Sequence, residues 1–579
     1  MRAVRRQFLP ALTMISLGLL TACGDDPVGP EQLSAPSGVT VSATGPTAVS
    51  VSWTAVSGAT SYSVERSVGA SGDFSSAGTA STTSYTDTGL APETDYRYRV
   101  TATSGALSSP PSTPATVRTR APGSVTISAD ITSNRTFHAD TVYQLSGFIK
   151  VANGATLTIQ PGTRVIGDFD IPGSSLFILR GARIMAEGTA EKPIVFTSER
   201  PAGQRQPGDW GGVIIIGNGI TNRGAPTYIE GTGTGPQNPL QDYSGGNNNS
   251  DSSGVMRYVR IEFAGFPTAP NEELNSLTMA AVGSGTRIEY VQVVQGLDDS
   301  FEWFGGAVNG RYLVSYEAAD DHFDASEGYV GRNQFLIAFQ SIRPDVRAGL
   351  AGGVASDPQG IENDGCWAEN CQAGNNNRSA SQPYTVPVFA NFTLIGAPAG
   401  AWETTGGNFG MMLRRGTGGL YVNGVVARYS KAAISLRGQE TFEQVGRGNL
   451  GIRNVAMVQT NGAFQAADLT NSNLENRQFE LNLSANAIEQ VAGETAALFM
   501  ALPTTSASTA ASAFDWTQST GSVLRTGGLN DFAGLPTPLR NATTGNGQVN
   551  STIVPTTFRG AVDPAGPKWW QGWTNYARN

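Results

Sequence analysis

Two short runs in the middle of the chain concentrate its reactive groups. Leu297-Asp298-Asp299-Ser300-Phe301-Glu302 is echoed 22 residues later by Ala319-Asp320-Asp321-His322-Phe323-Asp324. The preceding residues keep the offset, Tyr290 with Tyr312 and Val291 with Leu313. An echo of this length places like residues on neighbouring coils of a stacked β structure, roughly 4.8 Å apart. Phe301 over Phe323 then fills the interior. Strand alternation turns Asp298, Ser300 and Glu302 outward, with Asp320, His322 and Asp324 beside them. The same count points Asp299 and Asp321 inward, where a carboxylate is costly, so the chain is expected to bend at each double Asp and expose both.

Six carboxylates on two coils repel one another by about 1 kcal/mol per pair in water, and by several times that in a partly dry groove. Three arrangements offset this. Ca²⁺ favours flexible clusters of carboxylate oxygens and would be held by Asp298, Asp299, Glu302, Asp320, Asp321 and Asp324. A proton shared on a raised acid would instead suit glycoside hydrolysis, with Asp299, Asp320, Asp321 and His322 as the catalytic set. Solvent screening of a plain acidic surface is the third. Gly360-Ile361-Glu362-Asn363-Asp364-Gly365 could add ligands from another coil, though alone it reads as a polar turn. Trp303, Phe304 and Trp367 could stack on sugar rings, but core packing is the commoner fate of aromatics.

The elements that must carry these residues are β strands. Gly is abundant (71 residues) and charged residues are only 15% of the 579, which favours turn-rich β structure over helices. The formal charge of −9 argues against a nucleic-acid partner and suits divalent cations. Cys366 and Cys371 lie inside a Gly/Asn-rich loop and are expected to form a local disulfide outside the cytoplasm. With only His138 and His322 available, zinc has few ligands. The stretch from Asp242 to Asp251 is Gly/Asn-rich and is expected to be a mobile surface loop.

The first residues address the chain. Arg2, Arg5 and Arg6 precede an apolar run from Phe8 to Leu20, too short for a stable span of about 20 residues. Leu20-Thr21-Ala22-Cys23 resembles the lipobox of bacterial lipoproteins. That resemblance implies cleavage after residue 22, a lipid on Cys23, a tether over 23–32, and attachment to the cell envelope, at the outer membrane. Loss of the leader removes three positive charges and no negative ones, moving the formal charge from −9 to −12.

Residues 33–120 alternate apolar and polar positions in short runs, the pattern of a β-sandwich. Trp53, Tyr62-x-Val64-x-Arg66 and Leu90-x-Pro92-x-Thr94-x-Tyr96-x-Tyr98-x-Val100 resemble a fibronectin type III domain. The resemblance implies a tyrosine corner in which the Tyr96 hydroxyl bonds upstream backbone, and a spacer role for the module. Residues 121–579 repeat a different grammar at 20–30 residues, as in Asn153–Gly167, Gly181–Ala190 and Trp210-Gly211-Gly212. These units resemble right-handed parallel β-helix proteins of the pectin-lyase architecture, and Trp569–Thr574 resembles the closing segment of large bacterial surface proteins of that kind. Lyases of that architecture use a basic residue beside Ca²⁺. Arg414 and Arg415 are the candidates, with an outward surface position as their ordinary expectation. The chain is therefore expected to be all-β and envelope-anchored. Its function is expected to be non-catalytic contact with glycans or surface proteins, supported by Ca²⁺. A polysaccharide-degrading enzyme and a passive structural protein are the alternatives.

Overall fold

The computed structural model describes residues 32–367, 370–373, 378–402, 404, 406–464, 484–502, 514–544 and 552–577. Cys23 and the leader lie outside the described residues. The chain divides into two compact units between Ala121 and Pro122.

In the first unit, strands Thr40–Ala43, Ala48–Ser52 and Ser84–Thr88 form one antiparallel sheet. A second is built on Ser61–Val68 and Asp95–Ser104, flanked by Ser75–Ala80 and Ala115–Arg118. Alternation buries Val49 and Val51 from the first sheet against Tyr62, Val64, Tyr98 and Val100 from the second. Trp53 meets Tyr62 edge-on at 5.2 Å. The Tyr96 hydroxyl accepts from the Ala91 backbone N–H at 2.9 Å, which is the expected corner. Buried Asp87 is satisfied by Arg66 and by the Tyr98 hydroxyl, each at 2.9 Å.

In the second unit every pairing within the seventeen-stranded and nine-stranded sheets is parallel, as stacked coils require. The nine-stranded sheet takes one strand per coil, among them Leu277–Ala280, Phe301–Phe304, Phe323–Ser326, Gln359–Asp364 and Phe409–Arg414. Its register pairs Phe301 with Phe323 and Phe323 with Ile361, so the 22-residue echo is one coil. The two phenyl rings stack at 5.4 Å inside the core. The outward neighbours are thereby locked together: Glu302 beside Asp324, and Asp324 beside Glu362.

One corner of the coils bends through residues in the left-handed region. Tyr258, Tyr290, Tyr312 and Phe335 have φ of 49°, 54°, 58° and 65°, and Asn391, Asn423 and Asn454 continue the column at 51°, 58° and 54°. Such a backbone costs a bulky residue on the order of 1 kcal/mol or more. Ring stacking offsets it: Tyr258 on Tyr290 and Tyr290 on Tyr312 at 4.5 Å, and Tyr312 on Phe335 at 5.1 Å. The end of the chain seals this column. Trp573 stands edge-on to Tyr258 and Tyr290 at 5.8 and 6.2 Å, and Gln292 exchanges two 2.7 Å hydrogen bonds with the backbone of Asn575.

The stretch from Asp242 to Asp251, expected as a mobile loop, is tied down instead. Tyr243 is buried in an apolar cluster with Ile229, Leu274 and Ile214, and Asn249 accepts from the Ile220 backbone N–H at 2.8 Å. The polar composition hid one buried aromatic anchor. Replacing Trp573 by Ala should remove the seal of the corner and lower the stability of the second unit by about 3–5 kcal/mol. Urea unfolding of the full chain would show this as an earlier second transition of unchanged slope. An unmoved midpoint would show that the terminal segment does not hold the coils.

Candidate functional site

The outward column Glu302, Asp324 and Glu362 is supplied by three successive strands. Asp298 and Asp299, then Asp320 and Asp321, occupy the bends that lead into the first two. The oxygens fall into three overlapping groups, each within 4.8 Å: Asp298, Asp299 and Asp320; Asp299, Glu302 and Asp324; Asp321, Asp324 and Glu362. All six expected ligands therefore meet in one ladder, and Glu362, expected only in a polar turn, is its seventh member on a regular strand.

The chain bends at both double Asp pairs, bringing Asp299 and Asp321 to the outward side, but neither is exposed. Asp321 is 5% accessible and Asp299 6%, while Glu302 and Glu362 are each 5%. Screening by free solvent is therefore not what holds the charges together. Folded segments that precede and follow each strand supply the cover. Asn275 accepts from the Asp299 backbone N–H at 3.1 Å and donates to Glu302. Asp299 accepts from the Asp321 backbone N–H at 2.9 Å, and Asp321 accepts from that of Gln359. One buried oxygen of Asp324 has no hydrogen-bond partner.

Burial, then mutual repulsion, raises these acids. Asp298 is pushed up to about 7 by desolvation and by Glu273. Asp299, Glu302, Asp320, Asp321, Asp324 and Glu362 are raised well above the usual carboxylate range, by desolvation first and their neighbours' charges second. Among the described residues, arginines pair with one end of the ladder. Arg414 binds Glu362, and binds Asp364 at 2.9 Å, while Arg415 binds Asp364. Both arginines are thus engaged with the strip instead of standing on an open surface. Burial alone would lower Arg414, but Asp364 and Glu362 outweigh it and keep the guanidinium charged.

His322 and Ser300 do not join the outward strip. The His322 ring is buried with Nδ1 at 2.6 Å from the Ser315 hydroxyl, which donates to Ser300 at 2.7 Å. Burial pushes the imidazole down to about 3. The alternation count fails because both residues lie in the bend before their strand. Trp303 is also in the core, at 5.5 Å from Tyr329, and Phe304 packs on Tyr243 at 5.8 Å. The Cys366–Cys371 disulfide is formed, with Cα atoms 6.1 Å apart.

Two features were not legible in the pattern. Glu327 is buried between Arg223 at 2.5 Å and the Tyr243 hydroxyl, contacts that span 104 and 84 residues. Beside them a cleft of about 390 Å³ is lined by Arg223, Tyr228, Glu230, Glu272 and Phe304.

The first unit matches the fibronectin type III domain over residues 34–118. A curated poly(3-hydroxybutyrate) depolymerase of Ralstonia pickettii is 49% identical over 69 residues, which is 12% of this chain and 13% of that protein. Domains A168–A170 of titin share 30% identity over 16% of this chain and 33% of theirs, with a TM-score of 0.15. An Fn3-like protein from Clostridium thermocellum shares 32% over 15% of this chain and 92% of its own, with a TM-score of 0.14. The pectate-lyase-like β-helix domain matches residues 129–519, most of the chain, and to that family the chain belongs.

Proposed function

We propose that the β-helix unit is a Ca²⁺-loaded binding module for acidic polysaccharide, held on the bacterial envelope by a lipid on Cys23 and working without turnover. The observation that carries this is the largely buried ladder. Seven carboxylates share three contiguous oxygen groups, and among the described residues only Glu362 of the seven is ion-paired. Oxygens bound to one Ca²⁺ at about 2.3–2.6 Å lie no more than about 5 Å apart, the scale of all three groups. The donor set is all oxygen, which suits a hard cation and not a soft one. Asp298, Asp320 and Asp324 are only half-buried, so an ion there remains reachable. A uronate chain would be repelled by the bare ladder and drawn to the loaded one.

The residues available for turnover are engaged elsewhere. Arg414 is kept protonated between two carboxylates and makes a poor general base. His322 faces Ser315 in the interior. The raised acids of the ladder, Asp298, Asp299, Asp320 and Asp321 among them, are what favours cleavage. Release of unsaturated or reducing ends from polygalacturonate would establish that alternative. The similarity to the depolymerase spans 13% of that protein and lends no activity here.

Adding Ca²⁺ to the full chain should raise the second unfolding midpoint by an amount equivalent to about 2.7 kcal/mol at a hundredfold excess over Kd. Asp299→Asn with Asp324→Asn should abolish the rise, and in EGTA this pair should melt above wild type because repulsion is relieved. A variant that melts lower in EGTA, or keeps its Ca²⁺ response, contradicts the site.

Without the metal, stability should also depend on pH. These carboxyls have raised folded-state values, so the native state binds more protons than the unfolded chain. Their stabilisation is complete below the ordinary carboxylate range and is lost as pH rises through the raised folded-state values, about 7 for Asp298. In EGTA the unit should melt higher at pH 5 than at pH 8. With Ca²⁺ the order should reverse, since bound ligands must be deprotonated. Thermal scans at the two pH values check both signs.

A further inference from the structure

The cleft of about 390 Å³ adjoins the carboxylate ladder. Phe304 forms part of its wall and stands two residues after Glu302 on the same strand. Alternation turns both outward at a Cα separation of about 7 Å, so ladder and cleft share one face of the sheet. The opposite wall is held in place. Tyr228 pairs with Asp242 in an antiparallel bridge, and the Ile229 N–H donates to the Gln241 backbone oxygen at 2.9 Å. The Glu272 carboxylate accepts from the Gly231 N–H at 3.2 Å. Leu240 packs so closely on Gly233 that a Cβ there would lie 2.4 Å from a leucine methyl. Tyr228 and Leu240 are nonetheless 40% and 52% exposed. A preformed concave site with apolar walls and a few fixed polar groups is the usual form of a small-ligand pocket.

Charge decides what such a ligand is. Arg223 is the cation of the lining, and its guanidinium is engaged by Glu327 at 2.5 Å and by the Asn370 side-chain oxygen at 2.7 Å. Glu230 and Glu272 line the cleft as well. The Glu230 carboxyl is held well above its ordinary range by desolvation first, then by Asp298, Glu273, Glu272 and Glu327. A further carboxylate brought here would add to that repulsion. An uncharged pyranose suits the walls. Its hydroxyls donate to carboxylate oxygens, and its C–H face packs on an aromatic ring. We infer that the cleft takes a neutral sugar beside the uronate held through Ca²⁺, so that the ligand is a mixed chain of alternating acidic and neutral units, with Tyr228 reading the neutral one. This rests on the proposed Ca²⁺-dependent glycan binding and names the class of glycan. A chain of uronates alone would press a carboxylate against Glu230 and Glu272.

The test is calorimetric titration of the full chain, in Ca²⁺, with oligomers of equal length. Galacturonate oligomers supply the purely acidic chain. Hyaluronan and unsulfated chondroitin oligomers alternate glucuronate with a neutral N-acetylhexosamine, and chitosan oligomers carry amines. At least one alternating chain should bind about tenfold more tightly than galacturonate, equivalent to about 1.4 kcal/mol. Tyr228→Ala should remove that advantage and Tyr228→Phe should restore most of it. Galacturonate affinity and the Ca²⁺-induced rise in midpoint should be alike in all three proteins. Alternating chains that bind no better than galacturonate, or equally well to Tyr228→Ala and wild type, would overturn the neutral subsite and leave Ca²⁺-dependent glycan binding standing. Chitosan binding in EGTA that Tyr228→Ala weakens would assign the cleft to an amine and also overturn it. If wild type shows the Ca²⁺ response but binds no oligomer, the glycan reading fails and the subsite fails with it.

Discussion

Parallel stacking in register is the constraint on which the second unit depends. Each coil lays a residue directly over its counterpart on the coil before, so whatever one coil presents is multiplied. Inside, this is favourable: Phe301, Phe323 and Ile361 form a continuous apolar column. Outside, the same register forces Glu302, Asp324 and Glu362 into a column of like charge. The hydrophobic interior holds the coils at a spacing the carboxylates would not choose. An acidic ladder in such a fold is therefore sustained by the core and needs protons or cations on its outer face.

The repeat made the fold and most of the ladder readable in advance. A 22-residue offset that carried Tyr290 to Tyr312, Phe301 to Phe323 and Glu302 to Asp324 already contained the register. Two kinds of error followed from treating strand alternation as unbroken. Ser300 and His322 occupy bends, so their side chains turn into the core and bond Ser315. Asp299 and Asp321 reach the ladder, as a bend allows, yet are covered by neighbouring segments that local pattern does not reveal. Glu362 escaped full weight because its coil follows a longer interval, and only pairing with Asp324 shows it to be the next rung.

Long-range cover is the part a linear pattern carries least. The segment around Tyr243 looked mobile from its Gly and Asn content, yet one aromatic residue fixes it over the sheet, with its hydroxyl on Glu327. The carboxyl-terminal residues Trp573 and Asn575 close the tyrosine corner across nearly 300 positions, with Gln292 and Asn575 separated by 283 residues. Each such contact brings remote backbone against a strand face that an isolated coil would leave wet. Irregular connections thus convert a regular solenoid into a shaped surface, and the site belongs to the connections as much as to the repeat.

The third rung gives the ladder a direction. Glu362 adds a negative charge, but its own strand also brings Asp364, and together they draw in Arg414 and Arg415. That end is partly neutralised and carries the guanidinium that lies over Trp367. The opposite end, at Asp298, has Glu273 and Glu230 nearby and no arginine among its ion pairs in the described residues. Electrostatic demand for a cation therefore grows from the arginine end toward Asp298. An elongated anionic ligand would meet a fixed positive group at one end and need a metal at the other. A uniform acidic surface would impose no such order, so the two arginines do more to define how a ligand could lie along the coils than the number of carboxylates does.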